Sequence, residues 1–550
     1  MKTVRGDGGI VTAPHHLASE AGRSILTAGG NAAEAAVAMA ATLAVVYPHM
    51  NSIGGDSFWL LCDPGQEPVG VDACGRAAQK AELSLYAGMD AIPWRGPLAA
   101  NTVAGTLSGW AEVLRLGGGR LTLAQILEPA IAYAERGAEV TASYVDTVHK
   151  KSAELSPQPG FAQVFLPQGE PLAVGDTLRQ PALAQTLRTL AADGLDSAYR
   201  GPLAELIADD LEASGSPVRL ADLNAHHAEV VKPLSIQISA GTLYNMPPPT
   251  QGLASLLILA LFDRLGVQGA EGFDHIHGLV EATKQAFMVR DRHVGDPADM
   301  EIDAQTLLDD PDQLDAMAAA IDRRRAAPWP SPISDGDTVW FGVIDGEGRS
   351  VSAIQSVYFE FGSGLVLPQT GITWQNRGAS FRLVEHGWNA LRPGRKPFHT
   401  LNPAMAKLSD GRTMVYGNMG GEGQPQSQAA IFTRYALFGR DLQDAITAPR
   451  WLLGRTWGED STSLKLESRF DGAVVNALRQ AGHRVEMAPA FTDMMGHAGA
   501  LLRLADGTLE GASDPRSDGA ALVVSPPKHP ARAGAAADAL SGLSVPPTDV

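Results

Sequence analysis

The chain has 550 residues, 45% of them hydrophobic, which is enough to bury a large core in two to four domains or in one interwoven fold. It carries 43 Lys and Arg against 61 Asp and Glu, and this net charge of −18 argues against general binding to nucleic acid or to an anionic membrane. The two cysteines, Cys62 and Cys74, are too few for a disulfide framework and lack the spacing of a zinc motif.

Two observations bear on localisation. The first residues, MKTVRGDGGIVTAPHH, lack the apolar core of a signal peptide. The longest apolar run, from Ala35 to Tyr47, has 13 residues, whereas a helix that spans a bilayer needs about 20. We therefore expect a soluble, cytoplasmic protein that binds neither membrane nor nucleic acid.

The first part of the chain predicts many helices and few strands. Apolar residues recur at helical spacing, and Pro181 and Pro202 each suit the first turn of a helix. One strand is expected before Cys62, with Phe58, Leu60 and Cys62 on one face. The predicted helices are His16 to Val46 with an interruption at Gly29 to Asn31, Leu123 to Arg136 with a break or kink at Pro129, Pro181 to Leu190, a helix opened by Pro202, Leu253 to Leu265, and Gly278 to Arg290.

The character of the sequence changes near residue 323. The stretch from Arg323 to Asp337 has three prolines and no periodicity, which is typical of an exposed linker. The tail from residue 526 is rich in Pro and Ala and is expected to be disordered. Helices followed by strands favour a layered α+β protein. The predicted strands are Thr338 to Ile344, Ser350 to Val357 after a DGEG turn, Thr413 to Tyr416, Ala498 to Leu504, and Ala520 to Val524.

Thr338 opens the first strand after the linker, and two interpretations are open. It is either the first residue of a hairpin or, if the chain is cut after Asp337, a new N-terminus. An N-terminal threonine carries its own general base, because its free amine titrates at about 7.7–8.0 and lies beside its hydroxyl. The small polar residues Asp335, Gly336 and Asp337 leave the carbonyl before Thr338 accessible to attack.

Two further features could serve that chemistry. Ser356 is expected opposite Thr338 across the hairpin, where it could hydrogen-bond the Thr338 hydroxyl or amine. Gly420 and Gly421 follow a strand, and a glycine pair there allows backbone N–H groups to converge as an oxyanion hole. A satisfied strand serine and an ordinary Gly-rich turn are the alternatives.

Eight stretches of the chain match the pattern of a known family, and they occur in the family's order. They are VYPHMNSIGGDSF, VAGTLSGW, MPPPTQG, EATKQAF, DTVWFGVID, FGSG, GNMGGEGQPQ and GASDPRSDG. On these stretches the chain resembles the γ-glutamyltranspeptidase family of N-terminal-nucleophile hydrolases, from about Gly9 to Val524.

The resemblance implies a four-layered αββα sandwich without a cofactor. It also implies a precursor that cleaves itself into a large subunit, residues 1–337, and a small subunit, residues 338–550; whether such pairs dimerise is left open. It places the nucleophile on Thr338, the neighbouring hydroxyl on Ser356 and the oxyanion donors on Gly420 and Gly421.

The sequence departs from the family where γ-glutamyl substrates are held. The acidic pair that grips the substrate amine is replaced by Ala379 and Ser380, and Arg377 brings a positive charge nearby. A Ser-Ser pair for the substrate carboxylate is replaced by His399 and Thr400.

The family's early carboxylate-binding arginine is also displaced. Cys74 stands at its position and Arg76 follows two residues later. In an extended segment Arg76 would face the same way and bind the carboxylate; otherwise it is a solvated surface arginine. Tyr358 and Asn376 are further expected to contact the substrate.

These departures predict hydrolysis of an amide whose acyl half carries a carboxylate but no α-amine. The resemblance is then to the subgroup of oxamate amidohydrolases and cephalosporin acylases. The alternatives are a genuine γ-glutamyltranspeptidase or glutathione hydrolase, a metal-dependent amidohydrolase that uses His275 and His277 of DHIHG, and a binding protein that has lost its chemistry.

Overall fold

The computed structural model describes residues 1–329, 337–454 and 461–525, with the side chain of residue 337 left out. Residues 330–336 of the predicted linker and the tail from residue 526 lie outside these ranges. The strands are β1 Val4–Gly6, β2 Gly9–Ala13, β3 Asp56–Cys62, β4 Val69–Ala73, β5 Ala138–Glu139, β6 Thr177–Leu178, β7 Glu229–Val231, β8 Leu234–Ile238, β9 Gly241–Asn245, β10 Asp337–Asp345, β11 Ser350–Tyr358, β12 Ala404–Leu408, β13 Thr413–Asn418, β14 Trp451–Leu453, β15 Leu464–Glu467, β16 Val485–Ala488, β17 Ala498–Arg503, β18 Leu509–Ser513 and β19 Ala520–Val523.

Helices alternate with these strands along much of the chain. None of them, within the described ranges, is both long enough and apolar enough to cross a bilayer. The α-helices are α1 His16–Thr27, α2 Ala32–Val46, α3 Thr106–Gly117, α4 Leu123–Arg136, α5 Ala142–Leu155, α6 Phe161–Phe165, α7 Pro181–Asp193, α8 Pro202–Ser214, α9 Leu220–Ala225, α10 Gly252–Leu265, α11 Phe273–His293, α12 Ala304–Leu308, α13 Pro311–Ala319, α14 Gly423–Phe432, α15 Leu442–Thr447 and α16 Gly472–Gln480.

Two seven-stranded antiparallel sheets form the centre of the molecule. The first has the order β1-β18-β17-β13-β12-β9-β8, and the second has the order β19-β2-β10-β11-β3-β4-β7. Each sheet takes strands from both sides of the predicted cleavage point, so the two predicted subunits are interwoven. The expectation of few strands in the first part is wrong, because β1 to β9 all precede the linker.

Three apolar layers hold the sheets and helices together. Phe58, Leu60 and Trp340 of the second sheet pack against Met405 and Val415 of the first. Helices α1, α2 and α3 cover the outer face of the second sheet, and α10, α14 and α15 cover that of the first. Helices α4 and α11 pack against these helices, and α7 packs against α4. This arrangement is the predicted αββα sandwich, and the α+β fold class is confirmed.

The predicted helices are present, although α11 begins at Phe273 rather than at Gly278. Asn31 and Glu34 form a capping box that starts α2 after the predicted interruption. By contrast, α4 continues through Pro129 without the expected break. Its first turn is fixed by a capping box at Thr122, and Leu127 and Ala130 are buried in the core on either side of the proline.

Strand β10 carries the predicted nucleophile at its start. Val339, Phe341 and Val343 of β10 pack beneath the outer helices, whereas Trp340 and Ile344 face the first sheet. Thr338 lies two residues before Trp340, where the pairing of β10 with β11 changes register.

Candidate active site

The Thr338 hydroxyl is buried and unused by the protein. The residue is 1% exposed, and its Oγ1 has no hydrogen-bond partner. The pairing of β10 with β11 shifts between Asp337 and Val339, so Thr338 lies at a bulge, a feature often found beside active sites. A buried hydroxyl without a partner is costly unless a ligand or a reacting group uses it.

Ser356 and Tyr358 lie opposite this bulge on β11. Tyr358 pairs with Asp337, and its φ of 85° is a strained conformation for a bulky residue. The Tyr358 backbone N–H donates to Ser356 Oγ at 2.8 Å, which stabilises that conformation. The predicted bond from Ser356 to the Thr338 hydroxyl is not formed, since Thr338 Oγ1 has no partner.

A buried carboxylate, Asp56, faces the same space and was missed by the sequence reasoning. It pairs with Ser356 across β3 and β11, and its Oδ1 accepts hydrogen bonds from Gly75 N, Gly105 N and Gln375 Nε2 at 3.0, 3.1 and 3.0 Å. Burial raises its pKa to about 7 in spite of these bonds. The available signal was an acidic residue opening an otherwise apolar strand.

His399 is bound to Asp56 and held neutral. Its Nε2 lies 3.1 Å from Asp56 Oδ2, and burial together with the positive charge of Arg377 keeps the His399 pKa well below its usual value. The neutral ring donates its Nε2–H to the ionised form of the carboxylate. His399 is therefore a buried partner of Asp56 within the site.

Arg377 is the second buried charge of the site. It is 1% exposed, its Cζ lies 3.6 Å from the centroid of the Tyr358 ring, and its Nη1 donates to Thr400 Oγ1 at 3.2 Å. Its Nε and Nη2 have no hydrogen-bond partner. Burial lowers the Arg377 pKa from its usual value, while Tyr358 and the acidic groups nearby oppose that effect.

Arg76 lies at the surface and is already paired with acidic side chains of the protein. Its guanidinium lies 3.1 Å from Glu229 and 3.6 Å from Asp296, and the side chain is 44% exposed. The argument for an inward direction fails because β4 ends at Ala73, so strand alternation does not extend to residue 76. This geometry does not support the predicted carboxylate-binding role.

The Asn376 amide is used by the protein itself. Its Oδ1 accepts from Phe359 N at 3.1 Å, and its Nδ2 donates to Trp94 O at 2.8 Å. Asn376 therefore positions the backbone that follows Tyr358, and the geometry does not favour the predicted direct contact with substrate.

The glycine pair lies on the loop between β13 and α14. Gly420 and Gly421 have φ values of 112° and 49°, conformations that favour glycine. Gln251 Nε2 donates to Gly421 O at 2.8 Å and to Thr400 O at 2.7 Å, and its own oxygen accepts from Arg290. One buried amide thus ties the predicted oxyanion loop to the segment that contacts Arg377.

The geometry does not support the metal-dependent alternative. His275 bonds Thr433 and the backbone N–H of Glu271, whereas His277 bonds His483, so the two histidines of DHIHG diverge. His277, Glu281 and His483 do cluster, but Lys284 Nζ lies 2.7 Å from Glu281 and already neutralises that carboxylate.

Another group that could hold a metal, Asp56, Cys74 and His399, belongs to the site itself. Both oxygens of the Asp56 carboxyl already accept hydrogen bonds from the protein, and the positive charge of Arg377 acts on that carboxyl. The positive charge of Arg377 would repel a divalent cation at this position.

The comparisons with known proteins cover nearly the whole chain. Residues 18–524 match the family model described as gamma-glutamyltranspeptidase. The oxamate amidohydrolase proenzyme of Klebsiella pneumoniae is 55% identical over 93% of this chain and 98% of its own length. The acylase ACY 1 proenzyme of a Pseudomonas species is 34% identical over 95% of each chain.

The folds agree as well. The crystal structure of a cephalosporin acylase from Bacillus halodurans superposes with a TM-score of 0.87 at 32% identity, covering 95% of this chain and 97% of that one. The chain therefore belongs to the γ-glutamyltranspeptidase family of N-terminal-nucleophile hydrolases, and it is a self-processing amidohydrolase.

Proposed function

We propose that the chain cleaves itself between Asp337 and Thr338 and then hydrolyses a small amide that carries a carboxylate, with oxamate as the first candidate. The large subunit would end at Asp337 and the small subunit would begin at Thr338. The reaction passes through an ester of the acyl group on Thr338 Oγ1.

Each step uses a group already described. The free Thr338 amine takes the hydroxyl proton as Oγ1 attacks the amide carbonyl, and the backbone N–H groups of Gly420 and Gly421 stabilise the oxyanion. The carbon–nitrogen bond then breaks, and the nitrogen leaves as ammonia with the proton that the amine held. Water adds to the ester, the acyl–oxygen bond breaks, and the acid is released.

One observation carries this proposal: the Thr338 hydroxyl is buried at the start of β10 and has no hydrogen-bond partner. The oxamate amidohydrolase proenzyme at 55% identity supports the choice of substrate. The absence of an acidic pair at Ala379 and Ser380 disfavours γ-glutamyl amides, whose ammonium group needs a counter-ion.

The test combines processing with turnover. On a denaturing gel the wild type should give fragments of 337 and 213 residues, and the shorter one should begin TVWFGV. Thr338→Ala should remain one chain and release no ammonia from oxamate, whereas Thr338→Ser should keep both processes at a reduced rate. Processing of Thr338→Ala would refute the nucleophile assignment.

A substrate panel separates the alternatives. Ammonia should be released faster from oxamate than from glutamine, and glutathione, whose hydrolysis yields cysteinylglycine and no ammonia, should release little glutamate. A preference for the γ-glutamyl compounds would instead establish the glutathione hydrolase alternative.

A further inference from the structure

We propose that Arg377 is the residue that binds the substrate carboxylate, and that it selects amides of short anionic acyl groups that have no α-amine. This inference rests on the proposed function and deepens it. It assigns to Arg377 the role that the sequence alone suggested for Arg76.

The free donors of Arg377 have the arrangement that a carboxylate needs. Nη1 is taken by Thr400, so the Nε and Nη2 N–H groups remain along one edge of the guanidinium. Two parallel N–H donors on that edge match the two oxygens of a carboxylate. A buried cation with unused donors is unfavourable by itself, and an anionic ligand would satisfy it.

The position of Arg377 is set by residues around the nucleophile. The guanidinium stacks on Tyr358, which pairs with Asp337, the residue before Thr338. Stacking occupies the flat face and leaves the edge free to bind a ligand. Arg377 is thus joined through Tyr358 to the strand pair that carries Thr338.

The anion site and the oxyanion loop are held by one set of hydrogen bonds. Thr400 accepts from Arg377 through its side chain and from Gln251 through its backbone, and Gln251 also donates to Gly421 O. A substrate with its carboxylate on Arg377 is thereby oriented toward the loop that would receive the oxyanion.

The surroundings of Arg377 also account for selectivity. Cys74 stands where the family resemblance expects an arginine, and its Sγ lies within 4.8 Å of ligand atoms of Asp56 and His399. The positive charge of Arg377 acts on both Asp56 and Cys74. Arg377 thus brings a cation to the surroundings of Cys74 from a later segment of the chain. An α-ammonium would be repelled by this cation.

Oxamate and oxamide provide the measurement, because they differ in charge but share the two-carbon frame. For Arg377→Gln, processed normally on a gel, we expect kcat/KM for oxamate to fall about 100-fold while that for oxamide changes little. Arg377→Lys should recover part of the loss. Arg76→Gln is the matched control and should leave the oxamate-to-oxamide preference unchanged.

Binding of oxalate gives a second readout that does not depend on turnover. Oxalate should raise the Tm of the wild type and of Arg76→Gln, and it should not raise that of Arg377→Gln. If wild-type protein turns over neither amide, the proposed function fails, yet oxalate binding that depends on Arg377 would still support the anion site.

A subtler variant covers the case in which Arg377→Gln fails to fold. Thr400→Val keeps the charge but removes the Nη1 partner, and it should lower the oxamate-to-oxamide preference about tenfold. The inference is overturned if Arg377→Gln keeps the full oxamate-to-oxamide preference, or if Arg76→Gln loses it. If Arg377→Gln does not fold, a full preference in Thr400→Val overturns the inference instead.

Discussion

His399 Nε2 lies 3.1 Å from Asp56 Oδ2, and both side chains are buried on the inner face of the second sheet, beside Arg377. The pair combines a neutral histidine with a carboxyl whose pKa burial raises to about 7. Neither group is involved in the proposed proton transfers. The charges of the pair and of Arg377 instead act on one another.

Asp56 makes stability depend on pH in a defined direction. Between about pH 4 and pH 7 the unfolded state has lost this proton while the native state keeps it, so the free energy of unfolding falls as the pH rises. We expect wild-type protein to lose on the order of 2 kcal/mol more than Asp56→Asn between pH 5 and pH 8.

Urea unfolding at the two pH values checks this expectation. Both proteins should carry Thr338→Ala, so that each is a single chain. The exposed Asp410→Asn serves as the control and should follow the wild type. Equal losses in wild type and Asp56→Asn would contradict a raised Asp56 pKa.

Gly420 is expected to matter for the rate through its backbone. At its φ of 112° a side chain is strained, and the first atom of that side chain would lie 3.4 Å from Gly496 Cα. Gly420→Ala should therefore shift the oxyanion N–H and reduce kcat about 100-fold with little change in KM.

Gly411 provides the matched control for that variant. Its φ is 89°, and an added side chain would meet only Ala505, at 3.5 Å, in a turn outside the site. Gly411→Ala should cost stability but leave kcat unchanged. Equal kcat values for the two variants would rule out Gly420 as an oxyanion donor.

A buried ion network holds the backbone of Met495 and Gly496, and Gly496 lies beside Gly420. Arg450 pairs with Asp514 and donates to the carbonyls of Met495 and Gly496, at 2.9 and 3.0 Å, and Arg516 pairs with Asp514 at 3.0 Å. Burial opposes the Asp514 charge, but the two arginines lower its pKa to about 2.

Asp514→Ala should leave two buried guanidinium groups short of negative charge and destabilise the fold by about 3–5 kcal/mol. Chemical denaturation in the Thr338→Ala background measures this loss. Asp410→Ala removes an exposed partner of Arg412 and should cost at most about 1 kcal/mol. Similar losses in both variants would show that the buried network contributes no more than a surface pair.

Local sequence was sufficient for much of the fold. Helix boundaries such as Ala32–Val46 follow from a capping residue and continuous apolar faces within a few turns. The alternation in β10 and the short DGEG turn likewise give the hairpin that carries Thr338. The eight ordered stretches extended these local features to an expectation of the αββα sandwich.

Tertiary contacts separate the two candidate arginines. The sequence favoured Arg76, but Arg76 pairs with Glu229 at the surface, whereas Arg377 is buried against Tyr358. Asp56 joins His399 across 343 positions of the chain, a contact that no local periodicity encodes.

The sequence by itself therefore determined the secondary structure, the family and the candidate nucleophile, because these depend on neighbouring residues and on ordered motifs. Only the tertiary structure decided which charged side chains are buried together. The physical reason is that the cost of burying a charge depends on the partners that folding brings to it from distant parts of the chain.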